Sequence, residues 1–341
     1  MRKVFHQYFR PSSDELNELW QQGLLSFDAS VLLNVYGYSR KTRDNLVEFI
    51  EMRSDRVRLP HQFGLEFARN RSSVIVKQVH NYLRVEEELR KIRDTYLEPK
   101  RDHPYLTKKS SRAYQAIMNE LEESRKVMEK LVSSDPYADR MFTIFDGRVG
   151  KCPTPEELLE MEAEAQRRFD KTIPPGYADV KEKGVPQACG DYIGWRQLME
   201  IAKLENKGVI LVTDDVKEDW WLLERGRTLG PRPELLEEFS RVTGQRFYMY
   251  NSDNFLRAAK EFTSIEIRED VLEEVSERLA SALQGMNAAL LKTVPISQGI
   301  DAQIDALLSD KATGLKQAAP IADAAPSSEK AGPKIDRGEE V

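Results

Sequence analysis

Short apolar stretches alternate with longer amphipathic stretches along most of this chain. Residues 24–28 and 57–59 predict two short buried strands, residues 208–213 form the clearest buried strand, and residues 246–250 predict a fourth. Between these strands, apolar residues recur every three or four positions, which is typical of helices with one buried face. Strands that alternate with helices predict an α/β fold with a mostly parallel central sheet flanked by helices.

The region between the second and third predicted strands is dominated by long, highly charged helical patterns. The first continues to about residue 98, and two more cover residues 109–132 and 155–170. Alternating charges on long helices are typical of a solvated surface. We therefore interpret residues from about 72 to 172 as a helical insertion that projects from the α/β domain.

Composition shifts divide the chain into four predicted parts. Residues 1–22 form an N-terminal extension, residues 23–262 the α/β domain with its insertion, and residues 263–310 a C-terminal helical segment. Residues 311–341 are rich in Ala, Pro, Ser, Gly, Lys and Glu. Such a composition cannot bury enough apolar surface to order itself, so we predict a disordered tail.

Composition and charge narrow the function classes. The chain has 341 residues, of which 40% are hydrophobic and 32% charged, so it can bury a sizeable core. We expect no membrane segment and no secretory leader, because no apolar run approaches the length that either needs. The net charge of −6 argues against a generally basic nucleic-acid-binding surface but not against a local acidic site that takes up cations.

The two cysteines, Cys152 and Cys189, lie far apart and have no Cys or His nearby in the sequence. This spacing argues against both a disulfide framework and a zinc site. It is in keeping with a reducing compartment, and we predict a cytoplasmic location.

Five acidic residues lie at or near the ends of predicted elements. Asp28 ends the first strand, Asp214 and Asp215 end the strongest strand, Glu66 lies on the helix after the second strand, and Asp191 begins a helix. Because the carboxyl ends of parallel strands line one ligand-binding edge, we expect these groups to come together. Each residue taken alone has a plainer interpretation as a helix cap, a turn residue or a surface charge.

A cluster of carboxylates is costly without cations, because like charges raise each other's pKa. Mg²⁺ and Mn²⁺ accept oxygen ligands and leave room for the oxygens of a phosphate. Two such ions, about 4 Å apart, stabilise both the attacking and the leaving oxygen of an in-line displacement at phosphorus. The acidic set therefore predicts metal-assisted phosphodiester hydrolysis, with Mg²⁺ or Mn²⁺ as the cofactor.

Four stretches carry a family resemblance: FDASVLLNVY, LPHQFGLEFARNR, GDYIGWRQL and GVILVTDDVKEDWW. Together they resemble the PIN domain nucleases, and most closely the PIN-like group with a long helical insertion between the second and third acidic positions. The resemblance covers roughly residues 22–260. It implies a three-layer fold with a central parallel sheet, a site for magnesium or manganese, and cleavage of RNA or sometimes DNA.

The resemblance also implies individual roles for the acidic residues. Asp28, Glu66, Asp191 and Asp215 match the first to fourth acidic positions of the family. Asp214 stands where many relatives carry Asn, so it is either the main metal ligand in place of Asp215 or a residue that supports the ligands from outside.

Three further residues are implied to support the site. Thr213 would orient a carboxylate or a water. Asn34 would hold the Asp28 loop, with a plain position on the helix surface as the alternative. Asp179 would be an additional acid of the cleft, with a simple loop charge as the alternative.

Basic residues close to the acidic set in sequence are expected to contact phosphates, although each taken singly is equally a solvated charge. They are Arg69, Arg71, Lys181 and Lys183. The pair Trp220 and Trp221 either stacks on bases or packs in the core.

We interpret the chain as a metal-dependent nuclease, with RNA as its expected substrate and products that carry 5′-phosphate and 3′-hydroxyl ends by resemblance. The alternative is a catalytically inactive PIN-like module that binds RNA or a protein. A third interpretation makes the helical insertion a surface for self-association or for a protein partner. A haloacid-dehalogenase-type phosphatase is disfavoured, because Ser30 stands where that family needs a second Asp after Asp28.

Overall fold

The computed structural model describes residues 1, 4–97, 108–225, 227–263 and 265–293. The predicted tail at residues 311–341 and the last part of the predicted C-terminal segment lie outside the described residues.

A three-stranded parallel sheet forms the centre of the molecule. Its strands are β1 (Leu24–Phe27), β2 (Val209–Val212) and β5 (Phe247–Tyr250), in the spatial order β1-β2-β5. Every residue of β1 and β2 is buried, as expected for strands covered by helices on both faces. The α/β fold with a parallel sheet is therefore confirmed, and the carboxyl ends of all three strands lie along one edge.

The predicted second strand at residues 57–59 is wrong as a strand. Val57 forms one isolated parallel bridge with Leu25, and Leu59 forms another with Val149. Pro60 follows directly and precedes a helix, so the extended segment ends before a ladder can develop. The segment nevertheless lies beside β1 and delivers the chain to the helix that carries Glu66.

Helices surround this sheet, and most of them lie where the periodicity predicted them. Three helices were not predicted: Pro136–Phe145, between the second and third charged helices of the insertion, Val180–Lys183 and Ser252–Phe262. The helices are α1 (Ser13–Gln22), α2 (Ala29–Asn34), α3 (Arg40–Met52), α4 (His61–Ile92), α5 (Lys108–Ser133), α6 (Pro136–Phe145), α7 (Pro155–Phe169), α8 (Val180–Lys183), α9 (Val185–Glu205), α10 (Pro233–Thr243), α11 (Ser252–Phe262) and α12 (Glu269–Thr293).

A separate antiparallel pair of strands, β3 (Trp221–Glu224) and β4 (Arg227–Pro231), follows β2 in the chain. No described helix is both long enough and apolar enough to cross a membrane.

The insertion is built on the pairing of α4 with α5. Near the sheet, Arg71 of α4 forms an ion pair with Asp135. Farther along, Glu86 is buried and accepts hydrogen bonds from Arg125 of α5 and from Arg90. The order of these contacts shows that α4 and α5 run antiparallel. A role of the insertion in binding a partner or a second copy of the chain stays a prediction.

The first helix and the last described helix both pack on the central domain. Trp20 of α1 is fully buried and stacks on Phe255 and Phe262 of α11. Glu274 of α12 accepts hydrogen bonds from the side chains of Ser39 and Thr42 at the start of α3. The segments outside the predicted domain thus add to its core, while the predicted boundaries stay predictions.

Helix α4, which carries Glu66, and helix α9, which carries Asp191, approach each other closely at Gly194. A Cβ atom on Gly194 would lie 2.0 Å from Cε1 of Phe63, a ring that is only 1% exposed. The absence of a side chain at Gly194 therefore lets α9 pack directly on the aromatic face of α4.

We expect Gly194→Ala to destabilise the protein. Overpacking a core costs about 1–3 kcal/mol, whereas the better helix propensity of Ala returns only about 1 kcal/mol. Denaturant unfolding should show a net loss for Gly194→Ala. Gly230→Ala is the control, because a Cβ there meets nothing within 4 Å. Equal stability of the two variants would contradict the packing argument.

Candidate metal and nucleic-acid site

Asp28 lies at the carboxyl end of β1, at the position that precedes α2, and is only 8% exposed. Its side chain does not cap that helix, although capping was the plainer interpretation of this residue. Instead, Oδ2 of Asp28 accepts hydrogen bonds from Ser30 Oγ at 2.6 Å and from Thr213 Oγ1 at 2.9 Å. The carboxylate is therefore held in a fixed orientation by hydroxyl groups from two elements.

The same two hydroxyl groups join the ends of β1 and β2. Oγ1 of Thr213 accepts a hydrogen bond from the backbone N–H of Asp215 at 3.1 Å. Oγ of Ser30 accepts one from the backbone N–H of Asp214 at 3.2 Å. These bonds agree with the supporting role expected of Thr213, and they identify Ser30 as a second support that the sequence analysis did not assign.

The carboxylate of Asp214 accepts three hydrogen bonds from described residues. The donors are Asn34 Nδ2 at 2.7 Å, Ser252 N at 2.9 Å and Ser252 Oγ at 2.8 Å. Asn34 therefore supports the end of β2, and not the Asp28 loop as expected. The oxygens of Asp214 thus join β2 to α2 and α11, which favours a supporting role. The choice between Asp214 and Asp215 as the main metal ligand stays a prediction.

Asp191 lies inside α9, and the prediction that it begins a helix is wrong. The helix starts at Val185, because Gly184 has a φ of 74° and Pro186 stands in the first turn. Oδ2 of Asp191 is buried and has no hydrogen-bond partner within the described chain. Burying a carboxylate oxygen without a partner costs free energy. Binding of a cation or a proton at this atom would therefore be favourable.

Glu66 reaches the same region from α4. Its Oε1 accepts a hydrogen bond from Gln62 Nε2 at 2.7 Å. A Cβ atom on Gly190 would lie 2.3 Å from this oxygen, so only glycine fits there with Glu66 in its present position. Because Gly190 directly precedes Asp191, this contact places the Glu66 carboxylate beside the start of the Asp191 segment.

Two lysines and two aspartates form a chain of ion pairs at the site. Lys217 Nζ lies 2.7 Å from Asp215 Oδ2 and 2.6 Å from Asp179 Oδ1. Lys183 contacts the other oxygen of Asp179 at 2.5 Å. The sequence analysis missed Lys217, although its position two residues after the strand-end acids was the available signal.

The loop that carries Asp179 is fastened to the segment after β2. Asp219 is fully buried and accepts hydrogen bonds from the backbone N–H groups of Gly176 at 2.8 Å and Ala178 at 3.1 Å. Asp179 itself is buried and shares Lys217 with Asp215, which favours a place in the cleft over a plain loop charge. Its role there stays a prediction. The segment TDDVKEDWW thus organises the site through several of its residues at once.

Trp220 and Trp221 are 1% and 6% exposed, which favours the core interpretation over base stacking. Trp220 packs edge-on against Trp195 of α9. Nε1 of Trp221 donates a hydrogen bond to the backbone oxygen of Asp215 at 2.5 Å. The pair therefore fixes the backbone that follows β2.

The electrostatics show that the carboxylates act on one another. Burial is the main cause of the raised pKa of Asp191, and the negative charges of Asp215 and Asp28 raise it further. Burial also raises the pKa of Asp28, against the hydrogen bonds from Ser30 and Thr213, which lower it.

The pKa values of Glu66 and Asp179 are shifted in opposite directions. Burial raises the pKa of Glu66 against the hydrogen bond from Gln62, and the charge of Asp28 adds to the increase. Burial alone would raise the pKa of Asp179 as well, but its bonds to Lys183 and Lys217 outweigh that effect and lower it. The site therefore combines carboxyl groups whose pKa is raised with one, Asp179, whose pKa is lowered.

The four predicted phosphate-contacting residues have three different surroundings in the structure. Arg71 is engaged by Asp135, whose carboxylate also accepts a hydrogen bond from Tyr36 Oη at 2.6 Å, so the structure gives this arginine a different partner. Lys183 lies at the site through its ion pair with Asp179. Arg69 and Lys181 are exposed, and their contact with phosphate stays a prediction.

The donor set fits a hard divalent cation in its chemistry, since every ligand available is a carboxylate oxygen and Asp191 Oδ2 lacks a partner. In the described part of the chain, no three His, Cys, Asp or Glu side chains already surround one point closely enough to hold a metal ion. The ammonium group of Lys217 lies among these carboxylates and compensates part of their charge.

Comparison with known families gives one match. The family described as "PIN like domain" matches residues 24–235, which is more than half of the chain and contains all the acidic residues of the site. Comparisons with curated proteins and with solved structures give no match.

We expect Asp191→Asn to stabilise the metal-free protein at neutral and higher pH. The Asp191 carboxyl faces Asp28, Asp179 and Asp215, with Lys217 as the opposing charge, and its pKa is raised in the folded state. Folding therefore favours its protonated form, so its contribution to stability is present below the unfolded pKa of about 3.9 and is lost as the pH rises.

Thermal unfolding in EDTA across pH 4 to 8 tests this expectation. The difference in melting temperature between Asp191→Asn and the wild type should increase with pH. We expect roughly 2–4 °C for each kcal/mol of unfavourable burial and charge repulsion that the substitution removes. The exposed Asp139 gives a matched control, Asp139→Asn, whose difference from the wild type should not show this trend. A pH-independent difference for Asp191→Asn would contradict the assigned cause.

Proposed function

Because this chain belongs to the PIN-like domain family, we propose that it is a divalent-metal-dependent nuclease that hydrolyses phosphodiester bonds. RNA is its proposed substrate, and magnesium or manganese its proposed cofactor. We base the proposal on acids from separate segments that converge at the carboxyl edge of the sheet and act electrostatically on each other.

The observation that carries the proposal is the state of Asp191. Its buried oxygen has no partner, and the charges with the largest effect on its pKa are the carboxylates Asp215 and Asp28, against the opposing charge of Lys217. Asp219 also has one buried oxygen without a partner, but its other oxygen accepts two backbone hydrogen bonds, whereas the strongest charge effects on Asp191 come from other carboxylates. An acid kept in this condition, in a cluster of like charges, is typical of a functional site.

We assign the acidic residues separate roles in the proposed site. Asp28 and Asp191, with Asp215 and Glu66 beside them, would hold the cation. When bound, a divalent cation supplies positive charge to a phosphate oxygen and lowers the pKa of a water molecule. Ser30 and Thr213 keep the Asp28 carboxylate oriented, and Asp214 keeps the end of β2 attached to the neighbouring helices.

Phosphate binding is proposed for basic residues on the segments that carry the acids. Lys183 lies within the ion-pair chain at the site, while Lys181 and Arg69 are exposed on α8 and α4. By resemblance to the family, the proposed products carry 5′-phosphate and 3′-hydroxyl ends. A cytoplasmic location is part of the same proposal.

Cleavage of end-labelled RNA in the presence of Mg²⁺ or Mn²⁺ tests the proposed activity. We expect Asp28→Asn and Asp191→Asn to lower the rate by more than about 100-fold, since even loss of an outer partner of a metal ligand costs about 10–100-fold. Thr213→Val, which removes such an outer partner of Asp28, should fall within that smaller range.

Asp139→Asn on α6 is the matched control and should cleave like the wild type. EDTA should abolish cleavage by every variant. If the folded wild type cuts neither RNA nor DNA with either ion but still binds RNA, the non-catalytic binding module replaces the nuclease as the function. Residual cleavage that does not change in Asp28→Asn and Asp191→Asn would place the activity elsewhere.

A further inference from the structure

Lys217 already acts as a cation inside the acidic site. Its ammonium group bridges Asp215 Oδ2 at 2.7 Å and Asp179 Oδ1 at 2.6 Å, both short, charge-assisted contacts. Its side chain is 30% exposed, compared with 49% for Lys183, the other lysine on Asp179. Lys217 is therefore the more enclosed of the two and lies between two carboxylates.

The surroundings keep Lys217 in this position. Its own backbone N–H donates to Asp215 Oδ1 at 2.9 Å, so residue and carboxylate are joined at two points. The other carboxylate, Asp179, belongs to a loop that is held by hydrogen bonds from its backbone N–H groups to the Asp219 carboxylate. Because both anionic partners are themselves anchored, the ammonium is part of the framework of the site.

The two halves of the acidic cluster differ in how their charge is compensated. On one side, Asp215 and Asp179 share the Lys217 ammonium. On the other side, Asp28 is held by neutral hydroxyl groups, and Asp191 has a buried oxygen without a partner. The ammonium of Lys217 is thus paired directly with Asp215 and Asp179, whereas it acts on Asp191 only at longer range and leaves Asp191 Oδ2 without a partner.

We propose that the ammonium of Lys217 occupies the place of a second cation, so that the site takes up one divalent ion, on the side of Asp28 and Asp191. This inference rests on the proposed function and goes beyond it by fixing the number of ions. A second divalent ion at Asp215 would have to displace an ammonium held by two anchored carboxylates. Lys217 is in this sense a positioning residue, which keeps Asp215 and Asp179 compensated.

The number of bound ions tests the proposal without nucleic acid. Isothermal titration calorimetry with Mn²⁺, checked by electron paramagnetic resonance of free Mn²⁺, should give one ion per chain for the wild type. Lys217→Met removes the charge while keeping most of the volume, and should bind two ions. Lys217→Arg retains a cation and should return the number to one. Lys151→Met, at an exposed lysine paired with Glu157 away from the acidic cluster, is the control and should bind one ion.

The outcomes separate this inference from the proposed function. Two ions on the wild type, or one ion on a folded Lys217→Met, would overturn the role of Lys217 while leaving a metal site in place. No ion on either protein would overturn both the inference and the proposed metal dependence. Circular dichroism melting shows whether each variant folds. If Lys217→Met does not fold, the role of Lys217 is tested by the number of ions bound to Lys217→Gln and to the wild type.

Discussion

The parallel pairing of β1 with β2 is the constraint on which the site depends. The register sets Phe27 beside Val212, so the next residues of both strands, Asp28 and Thr213, leave the sheet side by side. The hydroxyl–carboxylate bond between them follows directly from this register. A shift of one residue would turn the strand-end side chains to the opposite face and separate the acids.

The sequence was sufficient to predict those parts of the fold that depend on local patterns. The strands at 24–28 and 208–213, the long charged helices and the parallel arrangement all follow from apolar periodicity, and the structure has them. The segment at 57–59 has the composition of a strand but only isolated bridges, because its neighbour Pro60 ends it. The start of α9 was misplaced because Gly184 and Pro186, and not Asp191, begin that helix.

Side-chain partners were harder to predict than positions. The charge of Asp28 acts on Asp191 in the folded chain, but no pattern in the sequence assigns Asn34 to Asp214 or Arg71 to Asp135. These contacts join residues that are far apart in the chain and depend on tertiary packing. Lys217 was overlooked for a related reason, because a lysine near acids in sequence is usually solvated, and only the fold encloses this one.

The helical insertion separates the two central strands that must pair. Asp28 and Asp215 lie roughly 190 positions apart, and the intervening chain has to be complete before β2 can join β1. Closing so long a loop is entropically unfavourable, and contacts of this kind form late in folding. During synthesis, a ribosome-bound chain that has emerged only as far as α7 still lacks most of the carboxylates, so the centre cannot assemble on an unfinished polypeptide.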